Sequence, residues 1–90
     1  MTQLDDAKTR AAATYNAAAD HYDDAANTFW ERFGRTTVER LRPSVKSRVL
    51  DVCCGSGASA LPAAEMVGRE GSVLGIDVAA SLLELARAKA

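Results

Sequence analysis

Residues 48–60 read Arg48-Val-Leu-Asp-Val-Cys-Cys-Gly-Ser-Gly-Ala-Ser-Ala60, a short aliphatic run followed by a glycine-rich turn and an alanine-rich segment. The order of strand, Gly-x-Gly turn and helix is the one with which α/β folds build a nucleotide site. Glycine lets the backbone approach a ligand closely, and the first N–H groups of the helix point into the same space. Asp77 lies twenty residues after Gly57, at the end of the next predicted strand, 72–77, where an acid can accept hydrogen bonds from ribose hydroxyls. The stretch therefore predicts a nucleotide-binding turn.

Composition and charge exclude several classes of protein. The chain has 90 residues, 48% of them hydrophobic and 26% charged, which fits one soluble globular domain. The net charge of −1 gives no basic stripe, so we expect no nucleic-acid partner. No apolar run approaches the roughly 20 residues that span a bilayer, and the first residues lack the features of a signal peptide.

The cysteine pattern is one adjacent pair, Cys53 and Cys54. Neighbours on a strand point to opposite faces, so these two are poorly placed to bridge each other. Two thiols without a further Cys or His cluster do not make a zinc site. We therefore interpret them as small buried side chains, predict no metal site, and expect a cytoplasmic protein.

The N-terminal half is predicted to be helical. Residues 5–27 are rich in alanine and poor in large apolar side chains, which predicts a helix, or two short ones, lying over another element as a lid. Thr28-Phe-Trp-Glu31 is typical of a capping box, and it begins a helix that ends before Pro43. That helix carries a stripe predicted to pack on the sheet: Trp30, Phe33, Thr37 and Leu41.

The C-terminal half alternates helix and strand. A helix is predicted over 58–67, delayed or bent by Pro62 and closed by Gly68. After the strand at 72–77, Ser81-Leu-Leu-Glu84 predicts a second capping box and a helix to the last residue. The fold class is therefore α/β, with helices followed by β-α-β-α and a parallel strand pair. We divide the chain into a helical lid, residues 1–46, and a first β-α-β-α half-domain, residues 47–90.

Three segments carry a resemblance to a known family: Val49-Leu-Asp-Val-Cys-Cys-Gly-Ser-Gly57, Gly75-Ile-Asp77 with Ser81-Leu-Leu-Glu-Leu-Ala-Arg87, and Tyr15-Asn-Ala-Ala-Ala-Asp-His-Tyr-Asp23. They resemble the first motif, the following segment and the doubled tyrosine pattern of class I S-adenosylmethionine-dependent methyltransferases. The similarity is greatest to the branch that acts on small molecules and includes enzymes like those of ubiquinone and menaquinone biosynthesis.

The resemblance implies a Rossmann-like methyltransferase fold with S-adenosyl-L-methionine as methyl donor. It implies that Asp51 lies beneath the methionine part of the cofactor and that Asp77 binds the ribose hydroxyls. The other implied contacts are Cys53, Gly55, Ser56 and Gly57 around the carboxypropyl end, Val78 and Leu82 against the adenine, and Tyr22 and Tyr15 over the amino-acid moiety. The family often has glycine where this chain has Cys53, and a cysteine there narrows the room for the ligand.

Other functions stay open at this point. The sulfonium of S-adenosylmethionine suits the carboxylates of Asp51 and Asp77 better than a pyrophosphate does, but an NAD- or FAD-binding oxidoreductase remains an alternative. So does a non-catalytic module that oligomerises through open strand edges. His21, the only histidine, is interpreted as a solvated or packing residue, with a role as catalytic base as the alternative. No catalytic residue is identified.

The number of predicted strands sets a further expectation. A methyltransferase sheet of this family has more strands than the two predicted here, and two parallel strands leave both edges open. We therefore expect the N-terminal portion of a longer small-molecule methyltransferase, inactive alone, or a chain whose further copies complete the sheet. The methyl acceptor is not identified by these residues.

Overall fold

The computed structural model describes residues 2–24 and 28–90. Within them, the elements in chain order are α1 (Gln3–Tyr22), α2 (Phe29–Leu41), β1 (Arg48–Val52), α3 (Ala60–Val67), β2 (Ser72–Ile76) and α4 (Ala80–Lys89). The predicted α/β order of two helices followed by β-α-β-α is confirmed. The part of the predicted first helix at residues 25–27 lies outside the described residues. No helix in the described ranges is both long and apolar enough to cross a membrane.

The two strands form a parallel pair in which Leu50 is opposite Leu74 and Asp51 is opposite Gly75. Burial alternates along both strands, as expected when one face of a sheet is covered and the other is not. α3 is the crossover between the strands and contacts both of them. Because the strands are parallel, their C-terminal ends lie at the same edge, and the segments that follow them meet there.

Local signals set most helix ends. A capping box between Thr2 and Asp5 begins α1. α2 ends at Leu41, one residue before Arg42 takes up a left-handed conformation ahead of Pro43. α3 begins at Ala60, so Pro62 lies in its first turn, where the missing N–H costs no helical hydrogen bond. Its C-cap is Gly68, with φ of 75°, as the sequence predicted.

Two predicted capping boxes are wrong. The N-cap of α4 is Ala79, so Ser81 lies inside the first turn and does not cap it. The N-cap of α2 is Thr28, but its backbone is in the α region and its side chain makes no N-cap hydrogen bond. Both sequences satisfy the spacing of a capping box, but the backbone at Ser81 and Thr28 lacks the extended conformation that the motif requires.

The predicted burial of the α2 aromatic stripe is also wrong. Trp30, Phe33 and Leu41 are 46%, 67% and 74% exposed, whereas Gly34 and Val38 are buried. α2 packs on α3, and a Cβ at position 34 would lie 2.1 Å from the carbonyl oxygen of Ala58. The helix turns its small residues inward because only a glycine allows so close an approach to the chain ahead of α3.

The N-terminal helix packs on the last one. Ala19 of α1 forms a buried cluster with Ala79 and Leu82, and Tyr22 and Leu85 pack against that cluster. Asp23 and Lys89 make an ion pair of 3.0 Å between the far ends of the two helices. α1 therefore lies beside the segment that follows β2, at the edge where the strands end.

Candidate nucleotide-binding site

The turn between β1 and α3 has the backbone conformation that its glycines predict. Gly55 and Gly57 have φ of 55° and 95°, values that residues with a side chain rarely adopt. The N–H of Cys54 donates to the carbonyl of Ile76 at 3.0 Å, and the N–H of Gly57 donates to the carbonyl of Cys54 at 3.0 Å. Ser56 and Gly57 are buried. The turn is thus held against the end of β2 and leads directly to the start of α3.

Asp77 ties the end of β2 to this turn. Its Oδ2 accepts the backbone N–H of Gly55 at 2.9 Å, and its Oδ1 accepts the N–H of Ala79 at 2.8 Å. An ionised carboxylate has about four acceptor positions, so both oxygens keep capacity for further donors. The carboxylate that sequence reasoning assigned to ribose hydroxyls therefore also fixes the turn and the entry to α4.

Asp51 is the second carboxylate at this edge. Its Oδ2 is buried with no hydrogen-bond partner among the described residues. Burial raises the pKa of the Asp51 carboxyl above its ordinary value, a hydrogen bond from the Ser59 side chain opposes that rise, and the negative charge of Asp77 adds to it. A groove runs from Asp51 along β1, between this strand, α2 and α3, and is bordered by Val38, Val49, Ser59 and Ala63.

The two cysteines differ in their surroundings. Cys54 is buried, and its Sγ would lie 2.7 Å from a Cβ at position 75, so Gly75 provides the space that this thiol occupies. Burial raises the pKa of the Cys54 thiol, with smaller contributions from Asp51 and Asp77. Both cysteines are free. No group of three or more potential metal-binding side chains occurs within residues 2–24 and 28–90.

The interpretation of Cys53 as a buried side chain is wrong, because its side chain is exposed. Its φ is 60°, in the left-handed region that costs a non-glycine residue about 1–2 kcal/mol. The backbone conformation at this position therefore favours glycine, as the resemblance suggested. The residue present is instead a cysteine with an exposed thiol.

Tyr22 lies near Asp77, and Tyr15 lies near Tyr22. Burial raises the pKa of the Tyr22 hydroxyl above its ordinary value, and Tyr15, Asp77 and Asp23 raise it further. The Tyr22 ring stacks on Trp30, with centroids 6.3 Å apart and planes 8° apart. Tyr15 is 47% exposed.

The remaining residues of interest have contrasting exposure. Val78 is 54% exposed. Leu82 is 2% exposed, and its Cδ1 would lie 3.9 Å from a Cβ added at position 55, so its side chain packs against the glycine turn. Contacts of these two residues with an adenine stay predictions. His21 is exposed and pairs with Asp24 at 3.2 Å.

Two residues near this edge were missed by the sequence analysis. Ser59 lies close enough to Asp51 for its side chain to lower the pKa of that carboxyl, and its place at the start of the crossover helix was the signal, because that helix begins beside the end of β1. The side chain of Asn16 accepts the N–H of Ser81 at 3.0 Å across 65 residues of chain. No local pattern indicates this second contact.

A glycine turn that joins two parallel strands through a crossover helix is the arrangement of a Rossmann-like half-domain. Comparison with known proteins gives the family. Residues 49–90 match a family model described as a methyltransferase domain. Residues 49–90 are thus similar to the methyltransferase-domain family, and this match confirms the resemblance to the class I S-adenosylmethionine-dependent methyltransferases.

Individual relatives agree with the family model. The chain is 39% identical over 83 residues to the aklanonic acid methyltransferase DauC of a Streptomyces species, a match that covers 92% of this chain and 38% of the relative. It is 42% identical over 77 residues to a 2-phytyl-1,4-naphtoquinone methyltransferase of Synechocystis, covering 79% and 32%. It is 36% identical over 76 residues to a nocamycin O-methyltransferase of Saccharothrix syringae, covering 84% and 27%. The matches span about a third of the length of these curated relatives.

Proposed function

We propose that this chain forms the first half of an S-adenosyl-L-methionine site and serves methyl transfer to a small molecule. The observation that carries the proposal is the meeting of Asp51 and Asp77 beside the glycine turn. The two groups are close enough for the charge of Asp77 to raise the pKa of Asp51. Two carboxylates suit a ligand that carries hydroxyls and positive charge, and they repel a pyrophosphate.

The residues fit the cofactor in their donor and acceptor chemistry. Asp77 keeps acceptor positions for ribose hydroxyls, and the buried, unpartnered Oδ2 of Asp51 is an acceptor that a donor on the amino-acid moiety would satisfy. The turn would receive the carboxypropyl end through Cys53, Gly55, Ser56 and Gly57. Val78 and Leu82 would lie on the adenine side, and Tyr22 with Tyr15 would cover the amino-acid part.

When bound, the cofactor supplies a methyl group on a sulfonium, ready for in-line displacement by a nucleophile on the acceptor. The contribution of the chain's residues is to hold and orient the donor, which is the main requirement of such a transfer. Residues 1–46 would act as the lid and residues 47–90 as the cofactor half-domain. The relatives' names specify aklanonic acid, a phytyl naphthoquinone and nocamycin, and these small organic molecules support the same class of acceptor here.

Calorimetry of the 90-residue chain with S-adenosylhomocysteine and with NAD tests the proposal. We expect the first to bind and the second not to bind. Asp77→Asn should weaken S-adenosylhomocysteine binding about 10–100-fold, because a charge-assisted hydrogen bond contributes about 1.5–3 kcal/mol. Asp20→Asn removes the same charge at an exposed position of α1 and should leave the affinity unchanged. Binding of NAD alone would refute the proposal in favour of a dinucleotide enzyme.

Alkylation of Cys53 gives an independent measure of where the ligand binds. Iodoacetamide should modify exposed Cys53 and spare buried Cys54, whose raised thiol pKa lowers the thiolate fraction. Bound S-adenosylhomocysteine should slow the modification of Cys53, as read by peptide mass spectrometry. An unchanged rate in the presence of saturating ligand would show that the ligand binds away from this turn.

A further inference from the structure

The first turn of α4 receives its cap from a different helix. Its own N-cap, Ala79, has no polar side chain, and no residue caps it locally. The side-chain oxygen of Asn16, on α1, accepts the N–H of Ser81 at 3.0 Å in a partly buried contact. Asn16 thus supplies, from 65 residues away, the hydrogen bond that an N-cap residue usually supplies.

The segment between β2 and α4 is therefore held from two sides. Asp77 binds the N–H of Ala79 from the glycine-turn side, and Asn16 binds the N–H of Ser81 from the α1 side. The two accepted N–H groups are two residues apart. A displacement of Asn16 would release one side of the loop that carries Asp77 and Val78.

Asn16 and Tyr22 lie on the same helix, α1. Asn16 and Ala19 of α1 and Asp23, its C-cap, follow one another at helical spacing, and all three contact α4 or the residue before it. Ala19 is a small apolar contact, and the Asp23–Lys89 pair is partly exposed, so neither is strongly directional. The hydrogen bond of Asn16 is the contact that fixes the register of α1 along α4.

From this geometry we infer that Asn16 is a positioning residue: it seats the lid helix α1 on the start of α4 and thereby aligns Tyr22 with Asp77. The inference rests on the proposed function for its consequence in cofactor binding. The positioning of Tyr22 by Asn16 can be measured without a ligand. Trp30 is the single tryptophan and stacks on Tyr22. Its fluorescence reports the position of Tyr22.

Three variants test the inference in the 90-residue chain. Asn16→Ala removes the acceptor, Asn16→Asp keeps an acceptor oxygen and places a negative charge at a helix N-terminus, where it is favourable, and Thr14→Ala is an exposed control on the same helix. We expect Asn16→Ala to shift the Trp30 emission and to weaken S-adenosylhomocysteine binding about three- to tenfold. Asn16→Asp should restore both, and Thr14→Ala should change neither.

The outcomes separate this inference from the proposed function. If the wild-type chain binds no S-adenosylhomocysteine, the proposed function fails, while the Trp30 emission of the three variants still tests the role of Asn16. Unchanged emission in Asn16→Ala, or the same shift in Asn16→Asp, overturns the inference. If Asn16→Ala does not fold, amide exchange of the wild-type chain decides: the Ser81 N–H should be protected, and rapid exchange there would contradict the inference.

Discussion

Asp51 holds a buried carboxylate oxygen that no described group satisfies. An unpaired buried acceptor destabilises a folded chain, and binding sites keep such groups because a ligand can satisfy them. Asp51 therefore destabilises the ligand-free protein, and its free oxygen is available to accept a hydrogen bond from a bound ligand. Cys53, with its left-handed backbone in the turn that follows β1, is a second source of instability close to the same site.

Asp51→Asn should stabilise the ligand-free chain at neutral pH. Burial gives the folded state a raised Asp51 pKa, so this group favours folding below its ordinary pKa of 3.8, and that contribution is lost as the pH rises through the folded-state pKa. Removing the charge should therefore raise the free energy of unfolding at pH 7, by less than about 1 kcal/mol because solvent partly screens this half-exposed carboxyl, which is less than about 4–8 °C in Tm for a chain of this size.

Thermal unfolding followed by circular dichroism at pH 3, 5 and 7 measures this effect. The advantage of Asp51→Asn over the wild type should shrink toward pH 3, where the wild-type carboxyl is protonated in both states. Asp20→Asn, the exposed control, should show a much smaller difference at each pH. An Asp51→Asn chain that is less stable than wild type at pH 7 would contradict the account of this carboxylate.

At the scale of elements, the contact between α2 and the chain ahead of α3 depends on one glycine. Gly34→Ala should destabilise the chain by about 1–3 kcal/mol, because the added Cβ would lie 2.1 Å from the carbonyl oxygen of Ala58. Helix propensity alone predicts the opposite, a gain of about 1 kcal/mol. Urea unfolding measures the sign, with Thr36→Ala as an exposed control on the same helix. A stabilised Gly34→Ala chain would show that α2 moves away at little cost.

The elements that sequence patterns predicted well are those whose signals are local. Pro43 and Gly68 end helices through their own backbone properties, and Asp77 follows β2 because the strand pattern ends there. The face of α2 that is buried was not predictable in the same way, because it is chosen by the fit of Gly34 against Ala58. The cap of α4 was missed for a similar reason, since Asn16 belongs to a helix far away in the chain.

At the scale of the whole molecule, one face of the sheet is uncovered. Leu50, Val52, Leu74 and Ile76 are 60%, 60%, 63% and 44% exposed, although parallel sheets are generally covered on both faces. The accessible surface is 6564 Å², against about 5,000 Å² for a compact folded protein of this mass. The strand pair therefore has an uncovered apolar face, and we propose that copies of the chain associate through it.

The 90-residue chain should associate in a concentration-dependent way and bind a hydrophobic dye. Leu74→Lys, on the uncovered face, should reduce both effects, because a charge there must be desolvated on association. Val45→Lys, at a position 70% exposed outside the strands, is the matched control and should change neither. Sedimentation equilibrium over a range of concentrations measures the association. A wild-type chain that stays monomeric and binds no dye would exclude association through this face.

The contact between α1 and α4 has a consequence for synthesis of the chain on the ribosome. Asn16 and Ser81 are 65 residues apart, so at about 5–20 residues per second about 3–13 s pass between the addition of one and of the other. During that interval α1 has no α4 to pack on. Its alanine-rich sequence carries only Leu4, Tyr15 and Tyr22 as large apolar or aromatic side chains. A helix that must wait for its partner during translation thus presents little of the surface that promotes aggregation.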